Sequence, residues 1–510
     1  MMIDDSKTRE RILLDNDSLV ILAGAGSGKT TIMTEKIRKD LKNNKSHYTV
    51  AAITFMRKAA KEIRSKLGKG YSNVFIGSND SFVEKEIISP FIYDVYTNLG
   101  GVSVRYDRKF SSYSDGIKLL KTENILGVYN SDVRNKNFKF DLALDVLMNS
   151  KAAAQYLKAK YSKVFIDEYQ DSDQSMHELF MFLIDELKIK LFIVGDEKQS
   201  IYKWRGAYPQ NFISLASNKK FNNYQLTRNF RSHIDIQNFS NSLNKNTSEN
   251  IELQDEVHSV VLVRASNELT RVEIVKRLIE SLEVNMEREI SILINTNTEI
   301  IDFVNEINNL GYNFSCIPKT PIDNPFVNGN FLHELASYYF NEDINEYDLI
   351  ETLIGSYTND QIIKLKGILK DFKVNQHTDK ILEETILDLY NFFEVTINIE
   401  EIKALTQTLE DEENSIAFNN SKIKHKVMTV FSSKGLEFEQ VISFSSFYFG
   451  KNNYGYKVER FEDHYVCITR AKEKIIMVNE SIEYVLNINE LIKGNTGLSL
   501  NDLTKVYKID

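Results

Sequence analysis

Short apolar runs closed by turn residues, each followed by an amphipathic stretch, recur from the start of the chain. SLVILAG (18–24) leads into a helical pattern, TVAAITF (49–55) leads into RKAAKEIRSKL, and KVFIDE (163–168) and KLFIVGDE (190–197) follow. This alternation predicts a parallel sheet wrapped by helices. A second series begins near residue 258: SVVLVRA, the helical LTRVEIVKRLIESL, SILINT, another helix and YNFSCI, then KVMTVF from 426 and QVISF from 440. It predicts a second α/β unit. Residues 78–158 carry few strand-like runs, and residues 318–424 open with PKTPIDNPFVNGN and continue as polar helices. Both read as mainly helical insertions into the α/β cores.

With 510 residues the chain is too long for one ordinary core, and at about 150 residues each it predicts roughly three or four structural units. Hydrophobic residues at 42% and charged ones at 26% give the balance of a soluble globular protein. Cys316 and Cys467 form no C-x-x-C pair and no disulfide framework, which suits a reducing cytosol. The first residues, MMIDDSKTRERILLDNDS, lack the apolar core of a signal peptide, and no apolar run approaches the ~20 residues of a membrane span. The expected location is the cytoplasm, with no membrane partner. A net charge of −9 argues against indiscriminate coating of nucleic acid, so a bound polynucleotide requires a local groove.

AGAGSGKT (23–30) matches G-x-x-x-x-G-K-[ST] between a predicted strand and a predicted helix. Gly26 and Gly28 let the backbone approach phosphate, and the amides of the loop, from Ala23, Gly24, Ala25 and Ser27 onward to Thr31, form an anion cradle with the helix N-terminus. Lys29 contacts the β- and γ-phosphates in this reading, and Thr30 holds Mg²⁺. A chance match is the alternative, and a second feature weakens it. VFIDE ends in Asp167 and Glu168 at the carboxyl edge of a strand, where open α/β sheets place ligands. Asp167 can hold the metal while Glu168 orients or activates water. Alone, the two acids could simply begin a solvated loop.

The ordered blocks AGAGSGKTT, AITFMRKAAKEI, VFIDEYQD, GDEKQSIYKWRGA, LTRNFRS, MTVFSSKGLEFEQVI and HYVCITRAKEKI resemble the UvrD/Rep-type superfamily 1 helicases, which move along single-stranded DNA using ATP. The resemblance implies two RecA-like P-loop cores with parallel sheets flanked by helices, one at 1–77 and 159–225, the other at 226–317 and 425–510. Insertions then occupy 78–158 and 318–424, the second shorter than is usual in the family. It implies that Gln199 senses the γ-phosphate, that Arg231 and Arg470 neutralise transition-state charge, and that Phe230, Gly435 and Glu437 border the base and ribose. It also implies that Trp204, the only tryptophan, stacks on a DNA base, with Phe55 and Tyr202 on the same track, because every base offers a π face. The alternative for Trp204 is a gap in a core. The 3′-to-5′ polarity belongs to the resemblance alone.

The sequence departs from the family around the base. The usual upstream glutamine is missing, with Thr8 near its position and Gln155 the first glutamine of the chain; Thr31 replaces an arginine, and Phe230 replaces a tyrosine. Discrimination of adenine is therefore expected to be weak, with GTP or dATP accepted alongside ATP. Phe431 stands where a histidine is usual, which makes the coupling of nucleotide to DNA less secure than hydrolysis itself. Only residues 471–510 follow Arg470, so no appended nuclease is expected. Compact chains of this kind resemble the helicase-like subunit of Gabija phage-defence systems, which implies an OLD-family-like nuclease partner. Two readings follow: a DNA-dependent translocase or helicase on single-stranded or tailed DNA, or a sensor whose turnover, triggered by DNA ends, regulates a nuclease. A phosphate-loop enzyme unrelated to nucleic acid leaves Trp204 without purpose. KIKHK (422–426) reads as a solvated loop or a phosphate-contacting strip.

Overall fold

The computed structural model describes residues 5–509 apart from positions 56, 69, 72, 267, 295, 318, 325, 327, 343, 355–356, 371, 374–378, 420–422 and 452–456. Lys422 of the basic stretch is thus outside the described residues. Two parallel sheets carry one compact unit, composed of Met1–Thr97, Val133–Ser315 and Lys424–Asp510.

The first sheet runs Phe75–Ser78, Thr49–Thr54, Tyr161–Ile166, Lys190–Gly195, Leu19–Ala23, Asn222–Leu226 in spatial order, with every pairing parallel. The strands from 161, 190 and 19 are neighbours, so the segments leaving their carboxyl ends, at Asp167, Asp196 and Gly24, lie side by side at one sheet edge. Val164, Phe165, Phe192, Ile193, Leu19 and Ile21 are fully buried, as strands covered on both faces require. The second sheet orders Ser315–Cys316, His425–Thr429, Ile290–Ile294, Phe438–Phe444, Ala471–Asn479, Val260–Ala265 and Lys505–Ile509. Here the functional edge is the amino end: Phe438 pairs with Ala471, so Glu437 and Arg470 leave adjacent strand starts together, tied by the Phe438 amide to the Arg470 carbonyl at 2.9 Å.

A second compact unit comprises Asn98–Asp132 and Cys316–Ile423. Helices Gly329–Phe340, Glu346–Leu353, Asn359–Leu369, Asp379–Phe392 and Ile399–Glu410 enclose a core that includes Phe331, Leu335, Leu365, Ile386 and Leu405. Within it Glu401 is buried and satisfied, accepting from the Asn328 amide at 2.9 Å, Asn328 Nδ2 at 2.7 Å and the Tyr390 hydroxyl at 3.0 Å. Between 78 and 158 the sequence pattern indicated mostly helix, yet Ser103–Phe110 and Ile125–Tyr129 pair as parallel strands around helix Tyr113–Glu123. The pattern hides the first strand because SVRYDRKF is rich in charge and lacks an apolar run. No helix among the described residues is long and apolar enough to cross a membrane.

Helix Phe461–Ile468, which delivers Arg470, is anchored by His464, whose Nε2 shares a hydrogen bond with the Tyr484 hydroxyl at 2.9 Å. Burial lowers its pKa from 6.5 to about 3. The folded value lies below the unfolded one, so the neutral ring's contribution is whole above pH 6.5 and is lost as pH falls toward 3. Thermal melts across that range are expected to show declining stability, with part of the slope removed in His464→Gln.

Candidate nucleotide site and nucleic-acid track

The phosphate loop follows a buried strand and runs into helix Lys29–Asn43. Gly26 and Gly28 adopt φ of +70° and +77°, the left-handed region that glycine enters freely. A side chain on Gly26 would meet Asn229 Oδ1 at 2.2 Å and Arg231 Cβ at 2.9 Å, because the NFRS segment lies directly on the loop. The Phe230 amide donates to the Gly26 carbonyl at 2.9 Å, and Asn229 Oδ1 accepts from the amides of Arg231 and Ser232 at 2.7 and 3.1 Å.

Gly24, Ala25, Gly26, Ser27, Gly28, Lys29, Thr30 and Thr31 line a cleft of about 480 Å³. Asp167, Glu168, Gln199, Phe230, Arg231, Gly435, Glu437 and Arg470 also line it, so the nucleotide and catalytic residues read from the sequence converge. Ala23 is buried at the strand end just beneath.

Asp167 is buried, and its carboxylate accepts from the Glu168 amide at 2.9 Å. Burial first, and then the Glu168 charge, push its pKa up. For Glu168, burial acts the same way but is outweighed by Lys29 and Lys434, so its pKa falls. Lys29 Nζ is 3.9 Å from Glu168 Oε1, and Gln170 Nε2 donates to Glu168 Oε2 at 2.6 Å. Glu168 itself has φ of +53°, a left-handed conformation that a non-glycine residue keeps only when its surroundings enforce it. The donor set fits Mg²⁺. Thr30 and Asp167, both lining the cleft, offer the hard oxygens that Mg²⁺ takes when one or two protein groups share it with phosphate.

From the other sheet, Arg470 is 2% exposed and donates to the Val466 and Leu436 carbonyls at 3.1 and 3.0 Å, with Nη2 3.4 Å from Gln199 Oε1. Burial and then Arg231 lower its pKa to about 10, which leaves it cationic at neutral pH. Gln199 Nε2 donates to Asp196 Oδ2 at 2.8 Å. Arg231 donates to the Thr469 carbonyl at 3.3 Å and pairs with Glu437 at 2.5 Å, while Lys472 lies 3.7 Å from the same carboxylate. Ser232 and His233 fasten this segment to strand Ala471–Asn479 through the Ala471 and Lys472 carbonyls.

Trp204 is 66% exposed, which excludes the core-filling alternative. Its ring meets Phe431 edge-on, centroids 6.1 Å apart at 85°, and the Arg205 guanidinium lies 5.0 Å from its centroid. Tyr202 is half-buried, with Lys434 Nζ 4.6 Å from its ring centre. Phe55 follows strand Thr49–Thr54 at the carboxyl edge of the first sheet and is also half-buried. In the basic stretch, Lys424 and Lys426 pair with Glu287 and Glu289 at 3.6 and 2.8 Å.

Sequence reasoning passed over Lys434 and Asp171. Lys434 Nζ lies 2.5 Å from Asp171 Oδ2 and donates to the Gln199 carbonyl at 2.8 Å, with the two side chains 3% and 1% exposed. Both stand inside quoted motifs, yet nothing in spacing says that the two motifs touch. Arg9 and Lys66 were also missed: Arg9 donates to the Ser27 carbonyl, and Lys66 Nζ is 3.4 Å from the Thr31 hydroxyl. The spacing of Asp5 and Arg9, four apart in a helical pattern, was the available signal for Arg9.

Gly26→Ala is expected to displace the NFRS segment without unfolding the sheet. Nucleotide turnover should fall about a hundredfold, the scale of an ångström's misplacement of a reacting group, while the thermal melt stays near that of the parent.

A family model for the UvrD/REP helicase N-terminal domain matches residues 5–95 and 118–222. The Gabija protein GajB of Bacillus cereus is 44% identical over 491 residues, covering 95% of this chain and 98% of the relative. The ATP-dependent DNA helicase PcrA of Staphylococcus aureus is 28% identical over 294 residues, covering 48% of this chain and 40% of PcrA. A Saccharomyces cerevisiae Dbp5 structure, bound to Nup159, Gle1, IP6 and ADP, aligns over 99% of this chain and 89% of its own, with a TM-score of 0.39 and 10% identity, too loose a match to build on. With the phosphate loop, the paired arginines and the exposed indole in place, the chain belongs to the GajB family of UvrD/Rep-like superfamily 1 helicases.

Proposed function

We propose that the chain hydrolyses ATP, and accepts GTP and dATP, in the cleft between its two parallel sheets, and uses the cycle to move 3′-to-5′ on single-stranded DNA. The observation that carries this reading is the meeting of Arg470 with Gln199 at 3.4 Å, which brings a cation of the second sheet into the cleft of Lys29. Lys29 would bind the β- and γ-phosphates, Arg231 and Arg470 would meet the charge that develops on the transferred group, and Glu168 would hold and orient water. Thr30 and Asp167 would hold Mg²⁺, which supplies charge neutralisation along the phosphates. Nucleotide draws the sheets together because charges on both contact one polyphosphate, and release of phosphate lets them part.

Trp204 supplies the stacking face for a base, with Tyr202 and Phe55 along the same track. The biological setting we infer from the relationship to GajB is cytoplasmic Gabija-type defence, with a nuclease of the OLD-like class as partner and tailed or blunt DNA as effector. A second reading has DNA ends trigger hydrolysis that regulates the nuclease, without processive unwinding. It draws support from Phe431, which packs at right angles to Trp204 and offers no hydrogen-bonding group.

Phosphate release by the purified chain, with and without single-stranded and blunt DNA, tests the reading. Lys29→Ala should abolish turnover under every condition, and Trp204→Ala should lose stimulation by DNA but keep basal turnover. Hydrolysis indifferent to DNA would remove the motor interpretation. Separation of a 3′-tailed duplex favours the translocase, and stimulated hydrolysis without separation favours the sensor.

A further inference from the structure

Arg231, Arg470 and Lys472 line the cleft together, and the carboxylate beside them is Glu437. Glu437 Oε1 pairs with Arg231 at 2.5 Å, whereas Lys472 Nζ lies 3.7 Å from Oε2. At that separation an ammonium makes no good hydrogen bond, and Lys472 has no other side-chain partner among the described residues. Its side chain is 39% exposed and lines the cleft, so its donors are accessible from within. The backbone beneath is fixed. Lys472 is the second residue of strand Ala471–Asn479, and its carbonyl accepts from the His233 amide at 2.7 Å. Arg470 leaves the same strand start two positions earlier, so one rigid edge delivers two cations to one cleft. Lys66, another lysine of the lining, is by contrast held by Glu62 at 2.6 Å.

Three cations against one carboxylate leave this wall positive, and the repulsion is felt: the Arg231 charge helps to lower the Arg470 pKa. An entering anion relieves it. Lys29 meets the β- and γ-phosphates in the reading above, and Arg231 and Arg470 meet the γ-phosphate, so the α-phosphate has no cation. That phosphate lies between the ribose, which Glu437 borders, and the phosphate loop, beside the Lys472 ammonium. We propose that Lys472 binds the α-phosphate from the second sheet, rotating from Glu437 to do so. The proposal rests on the nucleotide reading of the cleft. It gives Lys472 a task distinct from that of the arginines. Their phosphate departs after hydrolysis, whereas the α-phosphate stays on the diphosphate product, so Lys472 grips substrate and product alike. Such uniform binding lowers KM without raising kcat.

The test measures kcat and KM for ATP, and inhibition by ADP and by inorganic triphosphate, using the full chain with single-stranded DNA present. Lys472→Met keeps the stem and loses the charge. It should raise KM and the ADP inhibition constant by the same factor, about tenfold, the scale of a lost hydrogen bond to a charged group. Its kcat at saturating ATP should stay within about twofold of the parent, the pattern of lost uniform binding. Inhibition by inorganic triphosphate, which has phosphates but no ribose or base, should weaken as well. Lys472→Arg, which restores a cation, should recover most of each loss. Lys472→Gln carries the same test should the methionine variant melt early. Unchanged constants in both neutral variants overturn the assignment of Lys472. So does a fall in kcat at constant KM, which places the lysine at the transferred phosphate. Weaker ADP inhibition with triphosphate inhibition intact also overturns it, since the contact is then to ribose or base. Absence of turnover by the parent with any nucleotide overturns the assignment and the nucleotide reading together.

Discussion

The buried pair of Lys434 and Asp171 constrains everything around the cleft. One partner belongs to the SSKGLE segment before the second sheet's strand Phe438–Phe444, the other to the short turn after Tyr161–Ile166 in the first sheet. Taking two charges out of water is costly, and the cost is offset only when geometry and further hydrogen bonds are good. Lys434 meets that condition through the Gln199 carbonyl, and Asp171, although held up to about 6 by burial, keeps the ammonium 2.5 Å away. The pair therefore pins the two sheets at the point where their functional edges face each other, beside the carboxylate of Glu168.

Around that point each side chain is held by a group from elsewhere in the chain. Gln170 touches both acidic segments: its Nε2 donates to Glu168 and its Oε1 accepts from the Asp196 amide at 3.0 Å. Asp196 is buried, which alone would raise its pKa, but Lys198, Lys29 and Gln199 together hold it below the usual range. Tyr465 adds its hydroxyl to Asp196 at 3.4 Å from the helix that precedes Arg470. Glu168, with its left-handed backbone, is thus fixed by partners on either side rather than by local preference.

Much of this was legible in the sequence, for identifiable reasons. Strands with uninterrupted apolar runs, such as VFI before Asp167 and LFIV before Gly195, announce themselves because burial on both faces excludes polar residues. The phosphate loop is legible because its chemistry demands glycine at fixed spacing. Ser103–Phe110 is not, since charge and aromatic residues obscure its pattern. Pairings between distant motifs are equally silent: Lys434 with Asp171, Arg231 with Glu437, and Arg9 with the phosphate loop each depend on chain reversals that composition does not encode. The exposure of Trp204 could be argued from its polar neighbours, but its edge contact with Phe431 could not.

The hydrogen bond from the Phe230 amide to the Gly26 carbonyl joins segments separated by some two hundred positions of sequence. The anion cradle and the turn that presents Arg231 are, through it, one mechanical part. Their shapes therefore answer to each other: a chimaera taking the glycine-rich loop from one relative and the NFRS turn from another would bring together halves shaped for different counterparts.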